Sequence, residues 1–374
     1  MNKISIKLGD VARECRQTWG DNQNGVPIVG LEHLVPGEIE LKSWDCDIEH
    51  TFSKKFTKGQ VLLGRRRVYL RKASVAPCDG ICSGDITVIE SSGGILPELL
   101  PFVIQNDRFF DYAMQGSAGS LSPRVKWEHL KNYEFSLPPL DEQKILADKL
   151  WAAYRLKESY KKLLAATEEM VKSQFIEMFG NAEKTKPLSD FIEVSFPGEW
   201  GKEDKDGNGV KVIRTTNFTN TGKLNLADVV TRDIDPIKVE KKRLKKGDII
   251  LERSGGTNEN PVGRVVYFNE DGQYLFNNFT QLLRCKEGVN SLFLFYSLYN
   301  YYQMNKSAIR SMGNKTTGIQ NLKMDQYWQI PIANVSSEEQ ERFVSIYYQS
   351  DKSGFELRKS IDAIDAVIKS LINN

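Results

Sequence analysis

The chain has 374 residues, of which 40% are hydrophobic and 27% are charged. That is a globular composition with room for two domains, and it excludes a disordered or collagen-like chain. No apolar run approaches the ~20 residues of a membrane-spanning helix, and the first residues lack the apolar stretch of a secretory signal. The five cysteines form an odd, sparse set, which indicates a reducing, cytoplasmic environment and not a disulfide framework.

The charges are unevenly distributed along the chain. Fifty-one lysines and arginines nearly balance 49 aspartates and glutamates, so the net charge is only +2. Yet there is no acidic residue between His50 and Cys78, and none between Gly288 and Met324. Either basic zone alone could be an ordinary solvated face. Two such zones in different halves of the chain favour contact with a polyanion such as nucleic acid.

The sequence repeats itself at about half its length. Each half opens on a similar phrase, Leu-Gly-Asp at 8–10 and Leu-Ser-Asp at 188–190. Each half then has a Lys-Gly turn that leads into an apolar run, at 58–63 and at 246–251, which predicts a turn into a buried strand. A period of this length is too long for a solenoid and is typical of a duplicated domain.

Each half closes on a predicted long helix. The first is predicted over 142–179 and the second over 337–371, and both begin with an acidic segment that ends in glutamine. Ser336 and Glu339 form a capping box at the second start, and Asp141 is the expected N-cap of the first helix. The predicted organisation is therefore a mixed domain at 1–139, a long helix at 140–180, a second mixed domain at 181–335 and a second long helix at 336–374.

Apolar residues follow one another at alternating spacings of three and four along both helices, which is typical of a coiled-coil seam. Ser350 and Gly354 interrupt the seam of the second helix. The apolar stripe of the first helix is wider, which indicates more than one partner, although packing on its own domain is the alternative. The residues predicted to pack between helices or against partners are Leu146, Leu150, Leu164, Val171, Phe343, Tyr347, Leu357, Ile361, Ile364 and Ile368.

The sequence lacks the motifs of the common enzyme classes. The three histidines stand apart, and no metalloprotease, serine-hydrolase, Walker or dinucleotide-binding pattern is present. Four residues at 46, 50, 78 and 82 could supply zinc ligands, but each pair has three intervening residues instead of the two of a zinc knuckle. Isolated or buried cysteines are the preferred interpretation. We expect neither a catalytic residue nor a metal site.

Two segments in each half carry residue types suited to DNA. In the first half they are 64–72 and 116–124, and in the second 252–260 and 313–321. Arginine and asparagine can bond base edges, while lysine and small hydroxyl residues suit phosphates. The candidate DNA-binding residues are Arg65, Arg66, Arg67, Tyr69, Arg71, Lys72, Arg124, Lys126, Arg253, Ser254, Asn258, Arg264 and Lys315. The halves diverge most in these segments, which suggests that they recognise different sequences.

The order and duplication of these phrases resemble the specificity subunit of type I restriction-modification systems, over essentially the whole chain. In the first half the resemblance rests on Tyr-Leu-Arg-Lys at 69–72, Asp-Gly-Ile-Cys-Ser-Gly-Asp at 79–85 and Leu-Pro-Pro-Leu-Asp-Glu-Gln at 137–143. In the second half it rests on Lys-Gly-Asp-Ile-Ile-Leu-Glu-Arg-Ser-Gly-Gly at 246–256, Pro-Val-Gly-Arg at 261–264 and Gly-Ile-Gln-Asn-Leu at 318–322. The closing phrase at 330–335 departs from the family's usual form, which affects only the approach to the second helix.

The resemblance implies an α+β fold with two target recognition domains, each followed by a long helix, and the two helices packed as an antiparallel coiled coil. Each domain would recognise one half of a split double-stranded DNA target. The helices would set the distance between the halves. The chain would be a non-catalytic, cytoplasmic scaffold without a membrane role.

Catalysis, on this resemblance, would belong to partner subunits. These would be two copies of an adenine DNA methyltransferase subunit and, for cleavage, restriction and translocase subunits, so S-adenosylmethionine, Mg and ATP are expected only on them. Two alternatives stay open. One is a stand-alone enzyme that acts on nucleic acid through an unrecognised site, and the other is a coiled-coil interaction protein without a DNA role.

Overall fold

The computed structural model describes residues 4–20, 24–118, 122–257, 259–316 and 319–373. They divide into two compact units. The first unit comprises Met1–Leu164 and Glu356–Asn374, and the second unit is Ala165–Phe355. Both units mix helices with small sheets, so the α+β prediction is confirmed. None of the helices in these ranges is both long enough and apolar enough to span a bilayer.

The first unit is built on two small sheets. The strand order of the antiparallel sheet is Ala12–Cys15, Ile86–Ser91, Val61–Gly64, Ala73–Val75, and that of the other sheet is Ile28–Val29, Gly80–Cys82, Lys54–Phe56. Ile4–Lys7 pairs with Glu134–Leu137. The short helices are Leu8–Val11, Val68–Leu70 (3-10), Leu100–Ile104, Asp107–Gln115 and Trp127–Leu130.

The second unit repeats this plan with additions. The strand orders are Ile192–Pro197, Thr280–Cys285, Ile249–Glu252, Val265–Tyr267; then Lys202–Glu203, Val230–Asp233, Val210–Ile213, Tyr274–Phe276; and Ser254–Gly255, Ile319–Leu322, Gly313–Thr316. Thr185–Pro187 pairs with Pro331–Ala333. The shorter helices are Leu188–Phe191 and Thr215–Asn217 (both 3-10), Pro236–Lys242, Ser291–Met304, Lys306–Ser311 and Met324–Tyr327.

The predicted Lys-Gly turns and buried strands are confirmed in both units. Gly59 and Gly247 have φ angles of +88° and +94°, which glycine adopts without strain. The strands that follow, Val61–Gly64 and Ile249–Glu252, are buried along their whole length. Each is flanked by antiparallel strands on both sides, so a continuous apolar run without polar alternation is what such a central strand needs.

The two long helices are confirmed to within two residues. The central helix is Leu140–Phe179 and the C-terminal helix is Ser337–Asn373. The capping box is also confirmed, because Ser336 Oγ accepts a hydrogen bond from the Glu339 N–H and the Glu339 carboxylate accepts one from the Ser336 N–H. The prediction of Asp141 as an N-cap is wrong: the helix already begins at Leu140, so Asp141 lies in its first turn.

A buried glutamine fixes the start of each long helix to its own unit. Gln143 and Gln340 occur at the same point of the repeat, and both are at least 95% buried. Each amide forms hydrogen bonds with backbone groups of neighbouring loops. Without the amide, these groups would be left without a hydrogen-bond partner. The backbone partners are Gly94, Leu96 and Pro138 for Gln143, and Asn290 and Val335 for Gln340. This explains why both acidic helix starts end in glutamine.

Within the first unit, segments of the two long helices pack antiparallel. Lys157 Nζ lies 2.5 Å from a carboxylate oxygen of Asp365. Further along, Leu150 and Tyr154 share a core with Ile368 and Leu371. Residue numbers therefore rise on one helix as they fall on the other, as the antiparallel prediction requires.

The second unit holds a second antiparallel pair of helix segments. The ring centroids of Phe175 and Phe343 lie 5.0 Å apart, and Ser350 Oγ lies 3.4 Å from the Thr167 carbonyl oxygen. Ser350 and Gly354, which interrupt the apolar pattern, are both buried, so small side chains allow close contact there. Of the predicted packing residues, Leu150, Val171 and Phe343 are buried, and Leu146, Leu164, Tyr347, Leu357, Ile361, Ile364 and Ile368 are half-buried.

Candidate nucleic-acid interface

The candidate residues of the first unit meet where its central strand ends. The backbone N–H of Arg65 donates to the carbonyl oxygen of Asp85 at 2.9 Å, and the Arg65 carbonyl accepts from the N–H of Val125 at 3.0 Å. Arg66 and Arg124 then face each other as an antiparallel β-bridge. The fold thus brings together two segments that are far apart in the sequence and that both carry predicted DNA contacts.

Asp85 lies between two of these arginines. The Arg124 guanidinium donates to both oxygens of the Asp85 carboxylate, at 2.7 and 3.1 Å, and an Arg66 nitrogen lies 3.7 Å from it. The hydrogen bonds from Arg124 hold the pKa of Asp85 below its ordinary value. The two arginine side chains are still 40% and 42% exposed. The cluster therefore presents oriented guanidinium groups to solvent.

Arg65 itself lines a cavity beside this cluster. The cavity has a volume of about 500 Å³, and Lys54, Lys126 and Trp127 also line it. The Nε of Arg65 is buried and has no hydrogen-bond partner within the described ranges. A buried donor without a partner is costly, so this nitrogen is suited to an incoming acceptor such as a phosphate oxygen.

Two of the predicted DNA-binding side chains already have partners within the first unit. Arg71 forms ion pairs with Asp107 and Asp111, at 2.5 and 2.7 Å. The Lys72 ammonium donates to the carbonyl oxygen of Leu31 at 2.7 Å. Both residues therefore support the local fold, and their contact with DNA stays a prediction.

Three other predicted residues of the first unit face solvent. Arg67, Tyr69 and Lys126 are exposed, with 52% of Tyr69 accessible. Arg67 has a left-handed backbone with φ +52°, which is uncommon for a residue with a side chain. These residues are available for binding, and their role in it stays a prediction.

The second unit repeats the same backbone framework with other side chains. The N–H of Arg253 donates to the carbonyl oxygen of Phe279 at 2.9 Å, and its carbonyl accepts from the N–H of Leu322 at 2.8 Å. Ser254 pairs with Asn321 in an antiparallel register, and Ser254 Oγ donates to the Asn321 side-chain oxygen at 2.6 Å. The predicted residues Arg253 and Ser254 thus lie where Arg65 and Arg66 lie in the first unit.

Arg264 is held by a buried carboxylate. Its Nε and Nη2 donate to the two oxygens of Glu252 at 2.7 and 3.1 Å, and the Glu252 side chain is only 2% exposed. Its guanidinium also lies over the ring of Phe218, 5.8 Å from the centroid. Asn258 lies outside the described residues. Only the backbone of Lys315 is described, in the strand Gly313–Thr316, so both contacts stay predictions.

One group of metal-type ligands occurs within the described ranges, at Glu32, His33 and Asp45. The four possible zinc ligands noted in the sequence do not form such a group. His33 Nδ1 accepts a hydrogen bond from the Gly30 N–H at 2.9 Å, and its Nε2 lies 3.4 Å from Asp45. A neutral ring with an accepting Nδ1 carries its proton on Nε2, which leaves that nitrogen no lone pair for a metal.

Sequence reasoning placed Asn321 in a candidate segment without naming it, and it missed Asp85 and Phe279 as parts of this surface. They lie at equivalent positions because Gly64 faces Ile86 in one sheet and Glu252 faces Thr280 in the other, and Asp85 and Phe279 immediately precede those partners. Extending the internal repeat through these strands would have aligned Asp85 with Phe279. The low similarity of the two segments concealed that alignment.

Comparison with known proteins finds similarity to one family. Residues 183–364 match the family described as the type I restriction modification DNA specificity domain. The specificity subunit of the type I restriction enzyme EcoDI from Escherichia coli is 28% identical over 119 residues, which are 30% of this chain. The match spans only 26% of that relative's length.

Two solved structures share the fold over nearly the whole chain. One is the S subunit of a type I restriction-modification system from M. genitalium, with a TM-score of 0.57 and 12% identity over 100% of this chain and 95% of that one. The other comes from work on complex assembly and conformational transition of a type I system, with a TM-score of 0.57 and 16% identity over 99% and 96%. Similarity at these identities establishes the fold.

Proposed function

We propose that this chain, which belongs to the type I restriction-modification specificity family, is the DNA-recognition subunit of such a system and reads a bipartite double-stranded target. One observation carries the proposal. The two units build the same backbone framework, from Arg65 in one and Arg253 in the other, yet place different side chains beside it. Equivalent frames with different side chains suit two half-sites of different sequence.

The chain is a non-catalytic subunit. On this proposal, methylation is carried out by two copies of an adenine DNA methyltransferase subunit, and cleavage by restriction and translocase subunits. S-adenosylmethionine, Mg and ATP then bind to those partner subunits, in the cytoplasm. The chain contributes sequence recognition and a scaffold for assembly.

Exposed apolar residues on the long helices support the scaffold role. In the first unit Leu156 and Leu163 are 46% and 51% exposed, and in the second unit Tyr348 and Phe355 are 51% and 60% exposed. The members of each pair are seven residues apart, so each pair lies on one face of its helix. We assign these faces to helices of the methyltransferase partner.

The test is base-resolution mapping of methylation in the host genome with the gene intact and with the gene deleted. We expect deletion to remove N6-methyladenine from a split motif, on both strands. An unchanged methylation pattern contradicts the proposal. Methyltransferase or nuclease activity of the purified chain alone, with S-adenosylmethionine or Mg, would support the stand-alone enzyme instead.

Salt dependence separates DNA recognition from a coiled-coil role without DNA. If about six phosphates are contacted, the affinity of the chain for duplex DNA should fall roughly a thousandfold between ~50 and ~200 mM salt. Fluorescence anisotropy with labelled duplex DNA measures this fall. The absence of binding at low salt favours the coiled-coil alternative.

A further inference from the structure

Three pairs of equivalent residues surround the shared arginine position of the two units. The pairs are Arg66 and Ser254, Asp85 and Phe279, and Arg124 and Asn321. The equivalence follows from backbone pairing and not from sequence similarity. The first unit therefore has a charged Arg-Asp-Arg cluster where the second unit has a buried hydroxyl, an exposed ring and an amide that is bonded to that hydroxyl.

The hydrogen bonds of Arg124 leave a defined part of its guanidinium available. Its Nε and Nη2 donate to Asp85, which uses two of the five N–H groups of the guanidinium. The remaining N–H groups point away from the carboxylate, and 42% of the side chain is exposed. A guanidinium held along one edge in this way can donate a pair of parallel hydrogen bonds from its other edge, and guanine accepts such a pair at O6 and N7.

None of the three equivalent residues of the second unit, Ser254, Phe279 and Asn321, is a cation. Phe279 is 40% exposed there, and its ring is suited to contact with the methyl group of thymine. Asn321 accepts a hydrogen bond from Ser254 Oγ at 2.6 Å, so its amide is held within the second unit. The difference between the two units is therefore a difference in the base pair that each surface fits.

We propose that Asp85 is a positioning residue that orients Arg124 to read a guanine in one half of the target. Arg66 lies beside it and is held by hydrogen bonds from its Nε and Nη2 to Ser122 Oγ. At the equivalent position of the other half, Phe279 contacts the methyl group of the thymine of an A·T pair. This assignment rests on the proposed function and specifies which residues determine the sequence that each unit recognises. Arg65 and Arg253, which are the same residue at the same backbone position, serve both halves alike by holding phosphates.

The experiment replaces the gene in its host with single variants and maps methylated motifs at base resolution. Arg124→Lys keeps the charge but loses the planar fork, and Asp85→Asn keeps the size but loses the charge that orients the fork. We expect both to lower the preference for guanine at one position of one half-site by about tenfold or more. Asp85→Glu, which retains the carboxylate, should restore part of that preference.

The other half of the motif is the internal control, because a variant that still recognises it is folded and assembled. Arg65→Ala is the matched control, and we expect it to lower methylation at all sites without changing the motif. Phe279→Ala should relax one position in the opposite half-site only.

Two results would overturn the inference. One is an unchanged guanine preference in Arg124→Lys, and the other is an equal loss at all sites in both Arg124→Lys and Asp85→Asn, which would make the cluster purely structural. Failure of the proposed function is distinguishable, because the wild-type gene would then produce no split motif at all, and the inference would fall with it.

Discussion

The two units share a backbone frame but stabilise it with different chemistry. In the second unit the central strand ends in Glu252, whose buried carboxylate binds Arg264. The equivalent positions in the first unit are Gly64 and Lys72, and the Lys72 ammonium donates to a backbone carbonyl instead. A buried ion pair and a lysine–carbonyl bond thus support the same turn of the chain.

The same contrast occurs at the start of that strand. In the first unit Gln60 donates to Glu90, and in the second Asp248 forms an ion pair with Arg284. Strand pairing and turn glycines therefore specify the frame, and the side chains around it are free to change. That freedom is what a pair of recognition surfaces needs in order to diverge without loss of the fold.

The sharpest test of this contrast removes one cation from each unit. Arg264→Met leaves the Glu252 carboxylate buried without its partner, and we expect a loss of about 3–5 kcal/mol in the stability of the second unit. Lys72→Met, the matched variant, removes one hydrogen bond and should cost about 1 kcal/mol in the first. Urea unfolding, with amide hydrogen exchange to locate the loss, measures both. Equal costs would mean that the two units do not differ in the way we describe.

A smaller effect is expected at the starts of the two long helices, where the two units should behave alike. Gln143→Ala and Gln340→Ala each remove a buried amide that bonds backbone groups, three in the first case and two in the second. We expect both to cost about 2–3 kcal/mol, with the larger loss for Gln143→Ala. Thermal unfolding of the two variants measures this, and Lys144→Ala, at an exposed position of the same helix start, is the neutral control. If either glutamine variant behaves like that control, the two helix starts are not equivalent.

The sequence predicts this fold well where the signals are local. The Lys-Gly turns, the buried strands and both long helices follow from patterns within a few residues of each other, and the structure confirms them. The error at Asp141 is also local: the helix begins at Leu140, so the cap position is Pro139, two residues before Asp141.

The candidate site was only partly predictable, for a physical reason. Asp85 joins Arg66 and Arg124 through strand register and a bridge between segments more than 30 residues apart. No periodicity in the sequence encodes such a partnership. Arg71 illustrates the converse, because its charge suits DNA while its ion pairs with Asp107 and Asp111 become visible only in the fold.

The smallest expected effect concerns the backbone of the recognition surface itself. Arg67 and Gly255 are equivalent, since both follow the bridged residue of their unit, and both have positive φ. Their angles differ: Arg67, at φ +52° and ψ +53°, lies in the left-handed region that side chains tolerate, whereas Gly255, at φ +116°, does not.

Among the described residues, a Cβ added at Gly255 would meet only Glu252 Oε1, at an ordinary 3.5 Å. The cost of Gly255→Ala is therefore backbone strain alone, about 1–3 kcal/mol. Arg67→Gly removes the strain of a left-handed residue with a side chain, but it also raises the conformational entropy of the unfolded chain. The two effects oppose each other, so the free energy of unfolding should change by less than ~0.5 kcal/mol. Urea unfolding of the two variants decides between them. Similar losses would show that the two turns are under the same strain, and that the units diverge here in side chain only.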